Sequence, residues 1–139
     1  MKLETRSIHV GREVEPVAGD VAPAIHMSTT FERDANGDFS RGYSYARPDN
    51  PSRRSLEQCI AALEGGTDAI TFASGSAASL AVFSLLKPGD HVIAPIEAYH
   101  GTAQQLRDLL RPVGVETSFV DMTRVDEVRG AFKSNTRLV

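Results

Sequence analysis

An α/β domain with a parallel sheet, entered through an extended arm, is the fold this sequence predicts, and three observations predict it. After residue 50, short apolar or β-branched runs alternate with segments whose apolar residues recur every three or four positions. The breaks between them carry Gly, Pro, Asn and Asp. Before residue 50 no period is sustained, because Gly11, Gly19, Gly37 and Gly42 with Pro16, Pro23 and Pro48 interrupt it.

Residues 1–49 therefore read as an N-terminal arm that cannot bury a core of its own. Either it lies across another surface or it is a mobile leader. The run from Ala24 to Phe31 carries apolar and β-branched residues that need a partner, which favours the first reading. Regular structure begins with residues 50–139. Asn50 can cap a helix whose first turn holds Pro51, where the missing N–H costs nothing. Leu56, Ile60 and Leu63 share one face of that helix, and Gly65-Gly66 end it. Residues 69–72 read as a short buried strand, and a helix follows over 75–86. Lys87-Pro88-Gly89-Asp90 is a turn, residues 91–95 are the next strand, and residues 102–110 form a helix with Leu106, Leu109 and Leu110 on its apolar side. Residues 116–120 are a further strand. Thr123 then caps a helix carrying Val125, Val128 and Phe132, with Asp126 in its first turn, and Arg137-Leu138-Val139 opens another strand.

At 139 residues, 41% hydrophobic and 24% charged, the chain has the size and composition of one soluble domain. A net charge of −3 without acidic or basic blocks gives no electrostatic case for nucleic acid or for an anionic membrane. Cys59, the single cysteine, cannot form an internal disulfide and reads as a buried structural thiol in a reducing, cytoplasmic setting. Met1-Lys2-Leu3-Glu4-Thr5-Arg6 has no apolar stretch, and the longest nearly uncharged stretch, residues 69–86, is broken by Thr, Ser and Gly, so no membrane segment is expected. No metal site is expected either.

In an open parallel sheet, ligands sit beyond the carboxyl ends of the strands, which selects two loops. In the first, Ser74-Gly75-Ser76 opens a helix, and its free backbone N–H groups can face an anion such as phosphate. The alternative is that small residues there only permit close packing. Neither GxxxxGK[ST] nor GxGxxG is present. The second loop holds Tyr99-His100-Gly101-Thr102. The Tyr99 ring can stack on a planar cofactor and its hydroxyl can serve proton transfer, or the ring simply fills the sheet edge. His100 reads as a solvated loop histidine. Tyr45 and Arg47, two apart in an extended segment, project to one face and can meet on one phosphate. The alternative is an exposed Arg beside the Pro48-Asp49-Asn50-Pro51 turn.

Taken together, Tyr45-x-Arg47-x-x-Asn50-Pro51-Ser52, Leu63-Glu64-Gly65-Gly66, Ala73-Ser74-Gly75-Ser76-Ala77-Ala78 and Tyr99-His100-Gly101-Thr102 resemble the transsulfuration enzymes that use pyridoxal 5'-phosphate. This family includes cystathionine γ-synthase, γ-lyase and β-lyase, methionine γ-lyase and the homoserine sulfhydrylases. The likeness runs from Ser7-Ile8-His9-Val10-Gly11 to Thr136-Arg137-Leu138-Val139. It implies the aspartate-aminotransferase-like fold (fold type I), of which residues 50–139 would be the first part of the large cofactor domain. It implies that Gly75 and Ser76 give backbone amides to the cofactor phosphate, that Tyr45 and Arg47 reach the phosphate of a neighbouring subunit's cofactor, and that Tyr99 stacks on the pyridine ring. It also implies a homotetramer of two tight dimers acting by γ-replacement or γ-elimination on cystathionine or activated homoserine esters.

Methionine γ-lyases typically carry cysteine where Gly101 stands, so Gly101 points to the cystathionine synthases and lyases. Some γ-lyases place arginine near the position of Gln104, which leaves one substrate contact unassigned. Ser76 replaces a commoner apolar residue and keeps its N–H available. The lysine, aspartate and arginine that the family uses on the cofactor aldehyde, the ring nitrogen and the substrate carboxylate are expected beyond Val139, since Lys2, Lys87 and Lys133 are poorly placed for the first role. The 139-residue chain alone is therefore expected to be an inactive N-terminal portion with an exposed apolar sheet edge. The alternative is a non-catalytic cofactor- or phosphate-binding homologue.

Overall fold

A computed structural model describes residues 1–14 and 17–139, so Pro16 lies outside the described residues. The chain forms two compact units, residues 1–71 and 72–139. Among the described residues no helix is long and apolar enough to cross a membrane.

The first unit is built on two helices, α1 (Leu3–His9) and α2 (Pro51–Glu64). The sequence reading missed α1, a short charged helix that buries no residue. It is held by the chain after it: Gly11, at φ 74°, runs so close to α2 that a Cβ there would lie 2.2 Å from the Ser55 carbonyl oxygen. The Ser55 hydroxyl donates to the Gly11 carbonyl at that crossing. The α2 cap forms as expected, the Asn50 side chain accepting from Ser52 N at 2.9 Å with Pro51 at the first position. Gly65 ends the helix in the left-handed conformation at φ 71°. The expected apolar face does not become the buried one. Leu56 and Ile60 are exposed, and the buried positions are Glu57 and Ala61. Cys59 is half-buried rather than buried, with Sγ 4.0 Å from the Ser7 carbonyl oxygen.

The arm closes on itself at Thr30 and Tyr45, an isolated antiparallel bridge flanked by Ala46 N to Thr29 O at 2.8 Å and Phe31 N to Ser44 O at 3.2 Å. Its preceding stretch is tied to the start of α2. His26 N donates to Ser52 Oγ at 2.9 Å, and Asn50 Nδ2 donates to the His26 carbonyl at 3.1 Å. The segment 69–72 is not a strand, contrary to expectation. Its central amide, Thr71 N, is taken by the Glu57 carboxylate at 2.9 Å instead of by a neighbouring strand, and Ile70 stays exposed.

The second unit is the parallel sheet with its helices. Helix α3 (Gly75–Phe83) precedes β1 (His91–Pro95), which pairs in parallel with β2 (Glu116–Val120) and β3 (Thr136–Leu138) in the order β2-β1-β3. Central β1 is buried over its first four residues. Phe83, Val92, Ala94, Leu106, Leu110 and Val115 form the core, with Leu86, Phe119 and Leu138 against it. The helix expected over 102–110 starts earlier and changes pitch, α4 (His100–Gln104) passing into a π-helical turn, Gln105–Leu110, and a 3-10 turn, Arg111–Val113. Leu106 and Leu110 are buried as expected, but Leu109 is exposed, because the wider π turn rotates it off the core face. Helix α5 (Val125–Ala131) carries Asp126 and Glu127 in its first turn, but Arg124 occupies the cap position. Thr123 instead bonds Asp121, whose carboxylate accepts both its N–H and its hydroxyl.

Candidate functional site

In the second unit, Ser74 stands just before α3 and its side chain accepts from Ala77 N at 3.1 Å, while its carbonyl accepts from Ala78 N at 3.1 Å. This cap consumes the third and fourth amides of the turn. Among the described residues the Gly75 and Ser76 amides have no hydrogen-bond partner, so two N–H groups remain at the positive end of the helix dipole. A Cβ on Gly75 would meet nothing within 4 Å, so the space over this turn is open. Two free donors with room in front of them suit a phosphate.

Tyr99, at the start of α4, lies beside this turn. A Cβ built on Gly101 would be 2.7 Å from Tyr99 Cε1 and 3.4 Å from Ser76 Oγ. Ser76, Tyr99 and Gly101 are thus brought together, and glycine at 101 lets the ring lie where it does. The Tyr99 side chain is largely exposed, leaving a ring face for a planar ligand. Gln105, in the π-helical turn, ties the two loops: its Nε2 donates to the Ser76 carbonyl at 2.9 Å.

In the first unit, the Arg47 guanidinium carbon lies 5.2 Å from the Tyr45 ring centroid, but the segment is not extended as expected: residues 46–48 form a turn, with Asp49 N donating to the Tyr45 carbonyl at 3.3 Å. The segment that carries them is held from behind by Arg53, which donates to the carbonyls of Ala46, Arg47 and Pro48. A cavity of about 350 Å³ there is lined by Arg47, Arg53, Arg54, Glu57, Asp68 and Thr71, among others. Asp68 titrates below the usual carboxylate range, first because the Ala69 amide donates to it and then because Arg54 does, at 2.8 Å. The same hydrogen bond holds the Arg54 guanidinium charged. The sequence reading missed Arg53 and Glu57. The signal was present in the i, i+4 spacing of Asp49, Arg53 and Glu57.

Among the described residues no group of His, Cys, Asp and Glu is arranged to hold a metal ion. The buried histidine, His91, sits at the start of β1, between Thr136 Oγ1 at 2.8 Å and Ser118 Oγ at 2.9 Å, and burial pushes its pKa down. It satisfies the sheet's interior and is far from the carboxyl ends of the strands, where the loops lie.

Comparison with known proteins gives these groups a setting. The model of the family described as Cys/Met metabolism PLP-dependent enzyme matches residues 4–139. A probable cystathionine gamma-synthase of Herpetosiphon aurantiacus is 42% identical over 135 residues, covering 97% of this chain and 42% of its own. The crystal structure of metB from Corynebacterium glutamicum superposes with a TM-score of 0.93 at 39% identity, covering 99% of this chain and 36% of that one. The cystathione gamma lyase CalE6 of Micromonospora echinospora gives a TM-score of 0.89 at 37% identity, with 99% and 36% coverage. This chain therefore spans well under half the length of the relatives it matches.

Proposed function

Because the chain belongs to the Cys/Met metabolism family of PLP-dependent enzymes, we propose that it supplies the phosphate-gripping and ring-stacking part of a site for γ-replacement or γ-elimination on cystathionine or an activated homoserine ester. The observation that carries this is the Ser74-capped start of α3, with two unpartnered amides beside the Tyr99 ring. Gly75 and Ser76 would hold the phosphate of pyridoxal 5'-phosphate through their N–H groups, and the helix dipole would favour its negative charge. Tyr99 would lie on the pyridine ring, fixing its plane, and its phenolic hydroxyl would assist proton transfer. Bound there, pyridoxal phosphate supplies an electron sink that makes the Cα proton of an amino-acid substrate acidic.

Tyr45 and Arg47 would complete the phosphate grip from the arm, residues 1–49, of a neighbouring subunit. A forked guanidinium binds two phosphate oxygens at once and a phenol adds a third donor. The protein would then work as a homo-oligomer, a tetramer of tight dimers, in the cytoplasm. Residues 50–139 would open its cofactor domain. Glycine at 101 fits the cystathionine synthases and lyases.

The test compares pyridoxal 5'-phosphate with pyridoxal, which lacks the phosphate, in the native protein. Arg47→Ala should weaken the phosphorylated form by about 10- to 100-fold, as expected for a charged hydrogen bond worth about 1.5–3 kcal/mol, and leave pyridoxal unchanged. Equal affinity of Arg47→Ala and the parent for pyridoxal phosphate would refute the phosphate assignment. Mixing Arg47→Ala with Ser76→Asp protomers tests the exchange of arms. Each hybrid dimer keeps one undamaged site only if loop and arm come from different subunits, so recovery of tight cofactor binding is expected.

A further inference from the structure

The Arg53 guanidinium touches more of the arm than any pairing rule requires. Its Nη1 donates to the Arg47 carbonyl at 3.2 Å and the Ala46 carbonyl at 3.5 Å, and its Nη2 donates to the Pro48 carbonyl and, at 3.4 Å, to Asp49 Oδ1. Three consecutive carbonyls on one planar fork fix the peptide planes on both sides of Arg47. The fork is fixed in turn. Glu57, 6% exposed, lies one turn further along α2 with Oε1 3.6 Å from Arg53 Nε, and the same oxygen accepts from Thr71 N and Thr71 Oγ1, both at 2.9 Å. A buried carboxylate is tolerated only when paired and hydrogen-bonded, and here Arg53, Arg54 and Thr71 share that role. The result is a rigid relay from the body of α2 to the backbone that bears Tyr45 and Arg47.

We propose that Arg53 is a positioning residue for cofactor phosphate recognition, setting the backbone from which Tyr45 and Arg47 project, with Glu57 as its buried anchor. This rests on the phosphate reading of Tyr45 and Arg47 given above. Arg53 makes no contact with the phosphate in this scheme; it acts through Arg47. Lysine cannot replace it. Lysine keeps the charge beside Glu57 but gathers its three donors on one nitrogen, which lacks the span of the planar fork over three successive carbonyls.

The experiment measures dissociation constants of pyridoxal 5'-phosphate and of pyridoxal for the native protein and its Arg53→Lys, Glu57→Gln and Arg47→Ala variants, with melting temperature recorded alongside. Arg53→Lys should weaken pyridoxal phosphate about tenfold and leave pyridoxal within about twofold, since only the phosphate grip is misaimed. Glu57→Gln, which keeps an acceptor for Thr71 but loses the charge, should shift in the same direction by less. Should Arg53→Lys bind pyridoxal phosphate like the parent while Arg47→Ala does not, the positioning role is overturned and the phosphate reading stands. Equal losses for both ligands would also overturn it, because they would mark a general loss of structure. If neither Arg47→Ala nor Arg53→Lys affects phosphate binding, the parent reading fails and this inference with it.

Discussion

Replacing Gly101 with alanine separates what the fold needs from what the site needs. The new Cβ would lie 2.7 Å from Tyr99 Cε1, whereas carbon atoms in contact prefer about 3.5–4.0 Å. The ring must therefore retreat by about 1 Å. Ser76 Oγ, at 3.4 Å, needs no adjustment. The largely exposed ring can swing without disturbing the core, at a rotamer cost of about 0.5–1.5 kcal/mol. Against this, Gly101 lies within α4 at no left-handed angle, where alanine gains about 0.5–1 kcal/mol. The fold should be neutral to within about 1 kcal/mol. The cofactor should notice more. Displacing a stacked ring forfeits about 0.5–1.5 kcal/mol, which is roughly a 2- to 12-fold loss of affinity. Because the lost contact is with the ring, pyridoxal and pyridoxal phosphate should weaken together, unlike the phosphate-selective losses expected at Arg47 and Arg53. Thermal melting and cofactor titration of Gly101→Ala check both halves. A Tm lowered by more than roughly 6 °C, or cofactor binding equal to the parent's, would refute the reasoning.

Two further outcomes concern stability. Burial depresses the His91 pKa, Lys133 adding to the effect and Glu116 opposing it. The unfolded imidazole titrates near 6.5 and the folded one lower, so the unfolded state binds more protons between the two values. The stability His91 contributes is complete above about pH 6.5 and is lost as pH falls through the folded value, with a slope of up to about 1.4 kcal/mol per pH unit. Urea unfolding between pH 5 and 8 should show this slope and His91→Gln should flatten it; identical profiles would disprove the assignment. Thr117 in β2 buries a hydroxyl without a partner among the described residues, and Thr117→Val keeps its shape while removing that group. A gain of about 1 kcal/mol is expected from denaturant titration, and a loss would show that the hydroxyl is satisfied in solution.

The elements that were legible are those with a local cause. Asn50 and Pro51 at α2, and the apolar runs of β1 and β2, act on their own few residues, and each element begins where its signal stands. Misreadings arose where a distant group outbid the local pattern. Residues 69–72 have a strand's composition, but Glu57, fourteen positions earlier, takes the amide that a strand would use. Leu56 and Ile60 have a core helix's spacing, yet they face outward because α2 turns its Glu57 and Ala61 side inward. Thr123 has a cap's identity, but Asp121 captures its hydroxyl first. The π-helical turn left no trace in residue spacing, since it widens the backbone while keeping Leu106 and Leu110 in the core.

The same division runs through the candidate site. The phosphate recognition proposed for Gly75 and Ser76 would be a property of backbone amides, so a Ser-Gly-Ser turn opening a helix was enough to suggest it. Tyr99 and Arg47 could be proposed from the sequence because their side chains would meet the ligand directly. Arg53 could not, because what it recognises is three main-chain carbonyls, and a carbonyl is present at every residue. The spacing of Asp49, Arg53 and Glu57 marks a row of ion pairs, but a side chain whose partner is backbone leaves no complementary residue to show which carbonyls it holds, and that purpose emerges only once the chain has folded back onto it. Positioning residues of this kind belong to the part of a site that sequence motifs omit, and the selectivity between pyridoxal phosphate and pyridoxal measures that part, because a misaimed grip changes phosphate binding while leaving the ring's contacts intact.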